Sequence, residues 1–206
     1  MKIQELDLIQ RDGLREVASI GAGHAATALS QLTDRRIMVE VPQIRVFALE
    51  RIGELTGEAE EVVAAVAMHV LGDVTGRTVQ LFAPATASRL AEILLSREEI
   101  PFPAGFGELE RSSLEEVGNI LVGAYLNALS DVLGMLLLPS APKLAIDMAG
   151  AILTGAGIDP RAEMDWILCI DSVFRIDERE THLPGRFLLL PDPGALEAIL
   201  QAIRLD

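Results

Sequence analysis

A hydroxyl, a carboxylate and a carboxamide recur at i, i+4 and i+7 around the stretch SSLEEVGNIL, where Ser112, Glu116 and Asn119 stand in a segment that otherwise reads as helix. On a wheel of about 100° per residue the three fall within about 60° of one another. They lie opposite an apolar stripe made of Leu114, Val117, Gly118, Leu121, Tyr125, Ala128, Leu129 and Val132. The trio therefore looks outward. Side chains of these types accept and donate hydrogen bonds and pair with cations. Apolar Ile120 and Leu109 flank them, so the outward side has the makings of a docking surface. Two plain alternatives compete with that reading. Ser113 and Glu116 satisfy a capping box, and Asn119 could be a solvated amide. Gly118 belongs to the core stripe, where a missing side chain permits close packing at about 1 kcal/mol against alanine.

The same pattern occurs a hundred residues earlier. Aligned without gaps, residues 12–44 and 112–144 are identical at nine of thirty-three positions, including Leu14/Leu114, Glu16/Glu116, Val17/Val117, Ile20/Ile120 and Pro42/Pro142. Ordinary residue frequencies give roughly two or three. Asp12, Glu16 and Ser19 form the first outward trio, flanked by Ile9 and Ile20, with Leu14, Val17, Ala18, Gly21, Ala25, Ala28, Leu29 and Leu32 as its core stripe. Gly13 stands where Ser113 does and has no side chain to cap with, so capping accounts for one copy only.

After each copy the pattern turns extended, in RIMVEVPQIRVFAL and in LLLPSAPKLAIDMAGAILTG. Residues 64–95 and 165–203 then each read as two strands joined by a turn or short loop and followed by a proline-bounded helix. PFPAGFG at 101–107 is the joint between halves. The class expected is α/β in the broad, α+β sense, with long helices packed on a mixed or antiparallel sheet and two halves related by a pseudo-two-fold axis.

The bulk numbers exclude more than they propose. A chain of 206 residues, half of them apolar, buries a sizeable core as one domain or two closely packed halves. A net charge of −14 disfavours phosphate backbones, so nucleic acid is not an expected partner. No window supplies the roughly 20 apolar residues of a membrane span. MKIQELDLIQRD has acidic residues where a secretory signal has an apolar run, and the lone Cys169 suits a reducing compartment; a cytoplasmic protein is expected. His24, His69 and His182 are far apart without ligand spacing, so no metal is expected, and His24 and His69 read as packing residues.

Ser112, Glu116, Asn119 and Pro142, with Asp12, Glu16 and Pro42 at the same spacing in the first copy, resemble the signature of the CheC family of chemotaxis phosphatases, which includes CheX and flagellar-switch (FliY-type) relatives. IGAGHAATALSQL at 20–32 also looks like the stretch after that family's first site. The resemblance covers essentially the whole chain and implies a single CheC-like domain over 1–206, built of two repeats at about 1–103 and 104–206. It implies hydrolysis of the phosphoaspartate of the response regulator CheY. In that case Asn119 orients the attacking water, Glu116 pairs with a regulator lysine, Ser112 completes the site, and Ile20 and Ile120 are partner contacts. Pro42 and Pro142 are structural members of the motif. Ser19 departs from the pattern, since a hydroxyl is shorter than a carboxamide and has one polar atom instead of two, so the first site is expected to be degenerate. Arg11, Arg15 and Arg111 lie on or near the site helices and soften a local field set by an acidic chain. No cofactor of its own is implied, the magnesium ion belonging to the regulator. The receptor deamidase CheD is a further implied partner, and the alternative function is a non-catalytic adaptor binding CheD, phosphorylated CheY or both.

Overall fold

The computed structural model describes residues 8–47, 60–155, 167–177, 179–192 and 194–202. The N-terminal residues 1–7, Ala48 and Leu49 of the first extended stretch, Asp165 and Trp166 of the second hairpin, and Ile203 of the last helix lie outside them. So do the side chains of Arg11 and His182.

Helix α1 spans Leu8–Thr33, and α3 spans Glu108–Leu133: two 26-residue helices that begin one hundred residues apart. α1 leads into β1 (Ile37–Phe47), the hairpin β2 (Val62–Gly72) and β3 (Gly76–Phe82), and α2 (Pro84–Leu95). α3 leads into β4 (Leu137–Pro139), β5 (Lys143–Met148), α4 (Ala149–Gly155), the hairpin β6 (Ile167–Ile176) and β7 (Arg179–Pro191), and α5 (Ala195–Ala202). Pro84 opens α2, a position where its missing N–H costs nothing.

All seven strands join one sheet, in the order β1-β6-β7-β3-β2-β4 with β5 also on β2, and every pairing is antiparallel. Each half lends its post-helix strand to the other half's hairpin: β1 pairs with β6, and β4 and β5 pair with β2. The two hairpins meet at the centre, where Val79 faces Leu188 across β3 and β7. The order thus reads alike from either edge.

Strand alternation divides the apolar residues between two cores. Ala64, Val66 and Met68 of β2 enter the main core beneath α1, α2 and α3, together with Phe82, Phe174 and Phe187. Val63 and Ala65 point to the opposite face and join Val79, Leu81, Ile167, Cys169, Leu188 and Leu190 beneath Ala149, Ile152 and Leu153 of α4. Residues 149–155 are therefore helical, not extended as the sequence suggested. Seven residues are too few for a 3.6-residue period to stand out from a buried strand.

Both predicted core stripes are found. Leu14, Val17, Ala18, Gly21, Ala25 and Leu29 are buried on α1, as are Leu114, Val117, Gly118, Leu121, Tyr125, Ala128 and Leu129 on α3. Ala28 and Val132 are half-buried, and Leu32 is exposed at 49%, because helical phase sets a side chain's direction and not whether a neighbour extends that far. The glycines let backbones approach closely. A methyl at Gly21 would lie 2.6 Å from Tyr125 Cδ1, and one at Gly118 would lie 2.6 Å from Val66 Cβ. α3 ends on Gly134 at φ 62°, and after α1 the corresponding Asp34 adopts φ 51°, a conformation that aspartate tolerates better than most residues.

Candidate functional site

The start of α3 decides between capping and function. Gly107 donates its N–H to Glu110 Oε2 at 3.0 Å, while Arg97 Nη1 binds Glu110 Oε1 at 2.8 Å. Ser113 is buried and gives its hydroxyl to the Glu110 carbonyl at 2.8 Å. Capping therefore belongs to Glu110. Glu116, two turns into the helix, has no part in it, and the capping-box reading of Ser113 and Glu116 falls away.

Ser112, Glu116 and Asn119 are all exposed on α3, on the side away from its buried stripe. Among the described residues, none of the three side chains has an intramolecular hydrogen-bond or ion-pair partner. Leu109, at 56% exposure, extends the face in one direction, and half-buried Ile120 borders it on the other. The carboxylate and carboxamide are thus held on a rigid backbone and left free to bond with another molecule. Among the described residues no group of three or more His, Cys, Asp or Glu side chains could hold a metal ion.

Asp12, Glu16 and Ser19 are likewise exposed on α1, with Ile9 at 65% and Ile20 at 38% exposure beside them. Here the third member is turned inward on its own helix. Ser19 Oγ donates to the Arg15 carbonyl at 2.8 Å, the common i−4 back-bond of a helical serine. That bond commits its one proton. The two trios sit on separate helices, which pack together through the faces opposite them.

Both motif prolines stand at interruptions of an edge strand, where the missing N–H leaves no ladder bond unmade. Pro42 is exposed at the register shift between Glu40 and Gln43 of β1, and Pro142 is half-buried in the gap between β4 and β5. Beside Pro142 the structure adds a residue that sequence reasoning missed. Glu115 Oε1 accepts the Leu144 N–H at 3.0 Å, tying the start of β5 to the site helix. A glutamate on a helix gives no sequence signal of such a bond.

Other polar groups lie away from this face. His24 and His69 are exposed, not packing residues: His24 lies past the edge of the α1 stripe, and His69 sits near the end of β2. Asp171 binds Arg45 at 2.8 Å and Arg186 at 2.7 Å on the sheet face that carries Cys169. Burial, and then the Asp171 charge, push the Cys169 thiol up to about 12, which suits a packing residue and not a nucleophile. Burial likewise raises Tyr125 to about 12, although its bond to Ser172 Oγ at 2.9 Å acts the other way. Arg15 and Arg111 are exposed. No helix among the described residues is long and apolar enough to cross a membrane.

Residues 9–45, which hold the first trio and Pro42, match the model of the CheC-like family. Across 195 residues the chain is 30% identical to the CheY-P phosphatase CheC of Bacillus subtilis, covering 94% of this chain and 93% of that one. In fold it is similar to FliY of Thermotoga maritima, with a TM-score of 0.75 at 17% identity over 97% of this chain and 98% of that one. It is also similar to a chain of the CheX–CheY–BeF3–Mg2+ complex of Borrelia burgdorferi, with a TM-score of 0.51 at 16% identity over 91% and 99% of the two chains.

Proposed function

The chain belongs to the CheC-like family, and we propose that it is a chemotaxis phosphatase that hydrolyses the phosphoaspartate of CheY with the exposed groups of α3. The observation that carries this reading is the pairing of Glu116 and Asn119, exposed and without intramolecular partners, on a helix whose other side is fixed in the core. An acyl phosphate is already activated, so its hydrolysis needs neither a nucleophile nor a metal from the phosphatase. It needs a water held in line with the bond that breaks.

Asn119 suits that task, because one rigid end carries both a carbonyl acceptor and an amide donor, as in the glutamine that orients water in small GTPases. Glu116, one turn earlier, pairs with a cationic side chain of the regulator and fixes the register in which the phosphoryl group meets Asn119. Ser112 adds a hydroxyl at the far end of the same stripe. The magnesium ion stays with the regulator. The first trio lacks the carboxamide, and the back-bonded Ser19 hydroxyl leaves α1 with a carboxylate pair only. We read the two halves, about 1–103 and 104–206, as repeats of one unit, of which the second retains the chemistry.

The test is release of inorganic phosphate from phosphorylated CheY by the wild type, Glu116→Ala and Asn119→Ala. Both variants are expected to lose most of the rate. If the wild-type chain binds the regulator and releases no phosphate, the reading as an enzyme fails and an adaptor remains; a pull-down with CheD then asks which partner it serves.

A further inference from the structure

Four residues close a ring beneath the site. Gly118 rests on Val66 of β2, Val66 faces Leu144 of β5 across the antiparallel ladder, and Leu144 returns its N–H to Glu115 of α3 at 3.0 Å. The segment that ends at Leu144 is also held from its other side. Ser140 donates its N–H to the His69 carbonyl at 2.9 Å and accepts the His69 N–H on Oγ at 3.0 Å. The stretch from Ser140 to Leu144, with half-buried Pro142 and exposed Lys143, is therefore bonded at both ends. On the helical wheel Glu115 lies about 40° beyond Asn119, on the side away from Ile120. The stretch thus meets α3, through Leu144, on the side of the exposed trio that Asn119 borders.

Among the described residues the first half has no such arrangement. Arg15 occupies the place of Glu115 and offers no acceptor, and Gln43 stands where Lys143 does.

We propose that Glu115 is a positioning residue: it clamps the Pro142–Lys143 stretch beside Asn119 as a second wall of the docking face, where Lys143 meets the anionic phosphoryl-bearing surface of the regulator. The inference rests on the reading of α3 as the phosphatase site. The wall contacts the docked regulator and leaves the water to Asn119, so its loss acts on affinity and leaves turnover intact. A half-buried carboxylate with only a structural role would instead lower kcat in step with the loss of folded protein, at constant KM.

Steady-state phosphate release separates these outcomes. Glu115→Ala is expected to raise KM for phosphorylated CheY about three- to tenfold, the range one net hydrogen bond supplies, with kcat retained. Glu115→Gln keeps an acceptor oxygen and is expected to recover most of that loss. Lys143→Ala, which removes an exposed side chain and leaves the backbone ladder to Ala67 in place, is expected to raise KM as well. An unchanged KM in Glu115→Ala, a Glu115→Gln variant as impaired as the alanine, or, should Glu115→Ala not fold, an unchanged KM in Lys143→Ala would overturn the proposal. Asn119→Ala serves as the reference: if it retains full kcat, the site reading itself has failed and the clamp is not what was refuted.

Discussion

Gly118→Ala tests whether the buried side of α3 lies in close contact with β2. A methyl there would lie 2.6 Å from both Cβ and Cγ1 of Val66 and 2.8 Å from Cγ2, whereas carbon atoms rest at about 3.5–4.0 Å. The shortfall is about 1 Å. Rotation of Val66 gives no relief, because its Cβ is itself one of the atoms struck and no χ1 value moves it. Val66 is fully buried in β2, between strands β3 and β5, so it has nowhere to retreat. Either α3 or the strand must shift, which places the cost at the upper part of the 1–3 kcal/mol range for overpacking. Alanine returns about 1 kcal/mol through helix propensity. The net loss is about 1–2 kcal/mol, or a fall in Tm of roughly 2–8 °C for a domain of this size. Gly123→Ala in the same helix is the control, since nothing lies within 4 Å of its added methyl. It is expected to raise Tm by up to roughly 4 °C through propensity alone. Thermal melts followed by circular dichroism measure both. A Gly118→Ala chain as stable as wild type, or a pair of variants that shift Tm together, would refute the close approach of α3 to β2.

Two further predictions concern the first trio and the buried hydroxyl. Introduced into an Asn119→Ala background, Ser19→Asn places a carboxamide in the α1 trio where a hydroxyl stands, and phosphate release is expected to rise above that of Asn119→Ala alone. Tyr125 and Cys169 hold their protons up to about pH 12 in the folded chain, against ordinary values of 10.0 and 9.0. Within that window the unfolded chain binds fewer protons than the folded one, so their stabilising contribution is complete below it and is lost as pH rises through it. Denaturant midpoints measured below and inside the window should show the fall, and Tyr125→Phe should make it shallower.

The long helices and hairpins were legible because their patterns are long enough to carry a period: α1 and α3 repeat the same stripe over more than four turns, and Pro84 marks the start of α2. The outward direction of the α3 trio followed from the same wheel. Other features depend on which elements meet, and a linear pattern does not carry that. The exchange of β1 with β4 and β5 between the two hairpins, the second core under α4 and the exposure of Leu32 are of this kind. So are the Glu115 clamp and the pairing of Asp171 with Arg45 and Arg186, since a charged residue reads the same whether it is solvated or bonded across the sheet. His24, at the edge of a helical stripe, and His69, in a strand, read as packing residues, but neither an edge place nor a strand by itself buries a side chain.

Phosphate release by Asn119→Ala and Ser19→Ala, each against wild type with phosphorylated CheY, bears most directly on the assignment of the chemistry to α3. Loss of the water-positioning group is expected to lower the Asn119→Ala rate on the order of a hundredfold, with the Ser19→Ala rate unchanged. The reverse result, full activity without the Asn119 carboxamide and none without the Ser19 hydroxyl, would move the site to α1 and contradict the reading given for α3.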